Sequence, residues 1–142
     1  MPIRSDRELR ALLESTRTIA VLGIKAGEHE DAFRVPRYMQ RHGFSIVPVS
    51  PKLAEVLGER ALAGVGEISE PVDMINVFRA PANVPAHVDE ILAMKHKPKS
   101  VWLQLGIAHP ATLRLEAAGI AVVEDLCLMA LHARLFRSQP EP

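Results

Sequence analysis

The chain has 142 residues, 48% of them apolar, with 17 Lys and Arg against 17 Asp and Glu. That length supports one domain with a full core, and zero formal net charge removes bulk electrostatic capture of nucleic acid or an anionic membrane as a basis for function. A single cysteine, Cys127, excludes an intrachain disulfide and a cysteine-rich zinc site and fits a reducing, cytoplasmic setting.

The charged, amphipathic start MPIRSDRELRALL is unlike a signal peptide, and no apolar run nears the ~18 residues that span a bilayer. Ser5, with Glu8 three residues on, predicts a capping box. Leu9, Leu12 and Leu13 follow at helical spacing and extend a helix over 5–15. Thr18 to Gly23 is a continuous apolar run closed by glycine, the pattern of a strand buried on both faces. Val35, Tyr38, Met39 and His42 share a helix face, with Pro36 placed in the first turn. Ser45 to Val49 predicts a second strand, whose Pro48 has to sit near a strand end or a bulge. Residues 52–71 read as turn-rich, with a short helix over 65–68. Val72 to Phe78, Ser100 to Leu105 and Ile120 to Val123 supply three more strands. Helices between them open at Pro81, with Val84, Val88, Ile91 and Leu92 inward, and at Pro110, with Leu113 and Ala117 on one face and Gly119 as the stop. A last helix runs from Leu126 to Leu135, its leucines open to a core or a dimer role, and 138–142 reads as a disordered tail behind a domain of residues 1–137. This alternation predicts a single doubly wound α/β domain, a five-stranded and mostly parallel sheet with helices on both faces.

Open parallel sheets bind ligands outside the carboxyl ends of their strands. After the first strand come Gly23, Ile24, Lys25 and Gly27, then Arg34 and Val35 near a helix start. This is not G-x-G-x-x-G, yet glycine, lysine and a helix N-terminus together suit a phosphate. Glu28, Glu30 and Asp31 pull the other way, toward a plain connecting loop. After the second strand, Ser50, Pro51 and Lys52 stand where an NAD site has an acid for the ribose diol. A hydroxyl and an ammonium suit a phosphorylated ribose, as in NADP or coenzyme A; a Ser-Pro turn with a solvated lysine is the plainer alternative. Phe78 and Arg79 end the third strand, able to flank an adenine or a phosphate, or to be core and surface residues. Gln104, Leu105 and Gly106 end the fourth, offering an amide and open backbone.

Taken in order, the segments IAVLG, VPRY, VSPK, PVD leading to VFR, WLQLGI and VEDLCLM resemble the stand-alone coenzyme A-binding protein family, over roughly residues 7–137. That family is related to the nucleotide-binding domain of the succinyl-CoA synthetase α subunit. The WLQLGI run and the Asp125-x-Cys127 pair are the most specific. The resemblance implies a Rossmann-like fold with coenzyme A across the strand ends. It implies the diphosphate near Gly23-Ile24-Lys25, adenosine near Ser50, Lys52 and Phe78-Arg79, and the pantetheine arm toward Gln104-Leu105-Gly106. Lys25 stands where the family pattern has serine, and Ser50-Pro51 where it has Asn-Pro. The ligase activity of larger relatives needs a phosphohistidine and an ATP-grasp partner and is not implied.

No residue set reads as catalytic machinery or as a metal site. The six histidines lack paired-ligand spacing, and there is no G-x-S-x-G. Cys127, at the start of the last helix, is open to reaction with the coenzyme A thiol or to service as a small buried hydrophobe. The expected function is therefore binding of coenzyme A or an acyl-CoA without assigned catalysis, with a homodimer open as an assembly. The alternatives are an NADP-binding oxidoreductase-like domain and an interaction domain whose sheet has lost its ligand.

Overall fold

The computed structural model describes residues 1–137; the tail expected over 138–142 lies outside the described residues. In chain order the strands are β1 (Thr18–Leu22), β2 (Ser45–Val49), β3 (Glu55–Val56), β4 (Glu59–Arg60), β5 (Met74–Val77), β6 (Ser100–Leu103) and β7 (Ala121–Val123). Five form one parallel sheet in the order β2-β1-β5-β6-β7. The chain winds outward from β1 to β2, then returns past β1 to β5 and proceeds the other way. Connections leaving β1 and β5 therefore diverge, and a crevice opens at their carboxyl ends.

Strand alternation feeds two cores. Ile19, Val21, Met74, Trp102 and Val123 face one side and pack on helices α1 (Asp6–Glu14) and α2 (Asp31–Arg41). Ala20, Leu22, Ile75, Val77 and Val101 face the other and pack on α3 (Val84–Leu92) and α4 (Leu113–Ala117). A final helix, α5 (Leu128–His132), joins the first layer and continues as a π-helical turn, Ala133–Arg137. Its Leu128 and Leu131, with Leu135 beyond, are buried in this core. Both faces of the sheet are covered, giving the Rossmann-like doubly wound α/β architecture that the strand–helix alternation predicts.

Several local expectations need correction. Ser5 caps α1 through the Glu8 amide, 3.2 Å from Oγ, but the reciprocal bond joins the Ser5 hydroxyl, not its amide, to the Glu8 carboxylate at 2.8 Å. Pro36 is not in the first turn of its helix; α2 begins five residues earlier, because Ala32, Val35 and Met39 already define its buried stripe. Leu113 and Ala117 lie on the solvent face of α4, and Leu115 is the inward residue. Pro81 and Pro110 open 3-10 turns, Pro81–Asn83 and Pro110–Thr112, that lead into α3 and α4. The short helix expected over 65–68 is a 3-10 turn, Val65–Glu67, but the hairpin of β3 and β4 before it carried no recognisable signal. Its two-residue turn is Leu57-Gly58, both at positive φ (56° and 78°), where Asn-Gly or Asp-Gly is the usual pair. Gln40 of α2 compensates by donating to the Leu57 carbonyl at 3.0 Å.

Pro48 needs no bulge. Strand β2 is the sheet's edge, its register with β1 is unbroken, and the Pro48 carbonyl points outward to the Leu62 amide at 2.9 Å. The missing N–H therefore falls on the outer side, where no ladder needs it. At the opposite edge the Ile3 amide donates to the Val122 carbonyl at 2.8 Å.

Asp73 ties the amino ends of three strands together. Its carboxylate accepts the Arg17 and Thr18 amides at 2.8 and 3.1 Å and pairs with Lys99 at 3.4 Å. Its main chain bonds the Thr18 carbonyl and the Lys99 and Ser100 amides. Burial pushes the carboxyl upward, but the two amides and the Lys99 ammonium outweigh it and hold the acid below its ordinary range. Asp73→Ala should cost about 2–3 kcal/mol in urea denaturation at neutral pH. A lowered folded pKa stabilises above the unfolded value of about 3.9 and is lost as pH falls through the folded one. The gap between wild type and variant should therefore close on acidification below about pH 4.

Candidate functional site

At the end of β1, Gly23 has φ +89°, and a Cβ there would stand 2.4 Å from the Phe78 carbonyl oxygen. Only glycine allows this crossing. Hydrogen bonds hold it: Gly23 N–H to the Val49 carbonyl at 2.9 Å, and Phe78 N–H to the Leu22 carbonyl at 2.8 Å. The loop beyond is anchored by the interior proline of α2. Pro36 has no N–H for the Ala32 carbonyl four residues back, and the Lys25 amide donates to that carbonyl at 3.3 Å. The Lys25 ammonium pairs with Glu30 at 3.3 Å. Among the described residues the amides of Ile24, Ala26 and Gly27 have no acceptor.

This loop floors a cleft of about 390 Å³ that also takes in Ser50, Lys52, Leu53 and Arg79. Ser50 is buried, and its hydroxyl accepts the Lys52 amide at 3.2 Å, shaping the turn that presents the lysine. Arg79 lies against Gly23, its Cδ 3.2 Å from where a Cβ would be, and its buried Nε has no partner. Three cations thus face one space with Glu30 as their only acid among the lining residues, an arrangement suited to a ligand with several negative charges.

A smaller slot of about 190 Å³ lies over the ends of β5 and β6, on the Phe78 side of the Phe78-Arg79 pair, lined by Val35, Phe78, Gln104, Leu105, Cys127 and Met129 with Asp31 and Ile107. Its far wall is built by hydrogen bonds between the chain after β6 and the chain after β7. Trp102 Nε1 donates to the Leu126 carbonyl at 2.8 Å, the Gly106 amide to Asp125 Oδ1 at 2.7 Å, and the Asp125 amide to the Ile107 carbonyl at 3.1 Å. Leu105 is 66% exposed at the rim of the slot.

Of the residues expected at the site, the cleft gathers Gly23, Ile24, Lys25, Gly27, Ser50, Lys52 and Arg79, and the slot gathers Val35, Phe78, Gln104 and Leu105. Phe78 and Arg79, expected to flank an adenine or a phosphate, line different cavities, Phe78 the slot and Arg79 the cleft. Arg34 lines neither, standing instead with Arg37 and Arg41 by a hollow farther along α2. Pro51 and Gly106 line neither cavity. Ala26, Glu30 and Leu53 in the cleft, and Asp31, Ile107 and Met129 in the slot, line the cavities beyond the residues assigned from sequence; Glu30 and Asp31 do so because α2 starts early. Among the described residues no group of three His, Cys, Asp or Glu is placed to hold a metal ion, and no helix is long and apolar enough to cross a membrane. Gly23→Ala should destabilise by more than about 2 kcal/mol in thermal or urea denaturation. Gly27→Ala, which meets only the flexible end of Glu30, should cost well under half of that.

Comparison with known proteins bears on the fold and the family. The chain is 32% identical over 130 residues to the uncharacterized protein YneT of Bacillus subtilis, covering 91% of this chain and 95% of that one. It superimposes on the structure of cell-free ID.343 from Thermus thermophilus with a TM-score of 0.88 and 45% identity, over 94% of this chain and all of the other. A hypothetical protein from Pyrococcus horikoshii OT3 gives a TM-score of 0.87 at 29% identity, over 95% and 96% of the two chains. The model of the CoA binding domain matches residues 17–133, a span that holds both cavities and all five strands of the sheet, and the chain belongs to that family.

Proposed function

We propose that this protein binds coenzyme A, free or acylated, with the polyanionic nucleotide in the cleft and the pantetheine arm in the slot, and that it does so in the cytoplasm. The observation that carries the reading is the pairing of two unlike cavities at one sheet edge. A cleft with Lys25, Lys52, Arg79 and open backbone amides lies on the Arg79 side of the Phe78-Arg79 pair, and a small, mostly apolar slot holding one amide, Gln104, on the Phe78 side. Coenzyme A has that same division: a phosphorylated ribose and a diphosphate at one end, a narrow chain of methylenes and amides at the other. Lys52 and Arg79 are assigned to its phosphates, with the open amides of Ile24, Ala26 and Gly27 beside them. Gln104 is assigned to an amide carbonyl of the arm. An NADP-like ligand would use the same cations but has no thin arm for the slot. The role assigned is binding, and no reaction is attached to it.

Calorimetry tests this directly. Coenzyme A should bind at least tenfold more tightly than NADP or than dephospho-coenzyme A, which lacks the ribose phosphate. Lys52→Glu, at an exposed position, should weaken coenzyme A by about tenfold or more, about 1.4 kcal/mol. Equal affinity for NADP, or no loss on removing the ribose phosphate, would count against the assignment.

A further inference from the structure

We propose that the slot is a thiol-exchange site, in which Cys127 forms a reversible mixed disulfide with the sulfur at the end of the bound ligand. The proposal rests on the coenzyme A reading above and adds a covalent step to it.

Two independent features meet in the slot. The first is Cys127, a free and partly exposed thiol. The second is Gln104, only 5% exposed. Its Oε1 accepts from Asn76 Nδ2 at 3.2 Å and from the Leu128 amide at 3.3 Å. Reversing the Gln104 amide would set its NH₂ against two donors, so the orientation is determined. Asn76, fully buried in β5, is held in turn by donating to the Trp102 carbonyl at 3.1 Å. The Gln104 NH₂ is left without an acceptor among the described residues, on a side chain that lines the slot. That NH₂, facing the slot, is free to donate to a carbonyl of a ligand. An amide-bearing arm supplies one, and the short thiol tail of such an arm then lies in the cavity that Cys127 shares. The rest suits that tail. Val35, Phe78 and Met129 are apolar, Asp31 is paired with Arg34 at 3.6 Å, and about 190 Å³ is below the roughly 300–1,000 Å³ of a pocket that encloses a whole ligand. The slot is sized for the end of one.

The oxidant is a disulfide of the ligand's own thiol. The Cys127 thiolate attacks the sulfur of the bound arm, the ligand's S–S bond breaks as the new S–S bond forms, and the second thiol departs as a thiolate that takes up the proton Cys127 released. Cys127 is oxidised and the departing sulfur reduced, with no net change. A free thiol reverses the step.

Because the chain has one cysteine, intact mass under non-reducing conditions locates any adduct without mutation. The reduced full chain is incubated with coenzyme A disulfide. A single adduct should form, disappear with dithiothreitol, arise at least tenfold faster than with glutathione disulfide at equal concentration, and be slowed by excess coenzyme A analogue lacking the sulfur. Equal rates with the two disulfides would reduce Cys127 to an ordinary exposed thiol and overturn the proposal. So would the absence of an adduct on protein that binds coenzyme A in calorimetry. Absence of coenzyme A binding itself would instead strike the underlying reading.

Discussion

The close passage of the chain at the end of β1 is the constraint on which the site depends. Gly23 runs beneath the Phe78 carbonyl with no space for a side chain, so the ends of β1 and β5 come together before their connections separate. That separation is what opens the crevice. On one side lies the loop of Ile24 to Gly27, on the other the turn that follows Phe78 and Arg79. The two residues that follow β5 go to different cavities, and this divides the site. Phe78 enters an apolar slot while Arg79 enters a charged cleft.

Backbone groups left over by local structure do much of the remaining construction. Pro36 frees the Ala32 carbonyl, and the Lys25 amide takes it, so an apparent defect in α2 fastens the loop that floors the cleft. The same economy runs along β6 and β7. Trp102, Gln104 and Gly106 bond to Leu126, Leu128 and Asp125. The two stretches that resembled known proteins most specifically are therefore each other's hydrogen-bond partners. Asp125 adopts φ 58°, a conformation that Asp tolerates better than most residues, and this lets its carboxylate meet the Gly106 amide.

Much of this was legible in the amino-acid order because burial on both faces writes itself as continuous apolar runs, and β1, β2 and β6 begin where those runs do. Their carboxyl ends then name the site by topology alone. What was illegible has local causes. A proline inside a helix looks like a proline at its start, and the stripe of Ala32, Val35 and Met39 that places α2 earlier begins directly after the acidic stretch of Glu28, Glu30 and Asp31, which reads as loop. A Leu-Gly hairpin lacks the side chain that usually marks such a turn. Adjacency in sequence does not report that Phe78 and Arg79, just past the end of β5, line different cavities. The orientation of Gln104 depends on Asn76 and Leu128, each 24 residues or more away, which no spacing rule reports.

Both margins of the sheet are occupied. Along β2 the outward side lacks a donor at Pro48 and is bonded by Leu62 at Pro48 and Ser50, and β7 is met by Ile3. An unprotected margin invites another chain to continue the ladder, by orderly pairing or by fibrillar growth. Here Pro48 and Leu62 on one side, and Ile3 on the other, shorten the stretch of open ladder that such pairing needs.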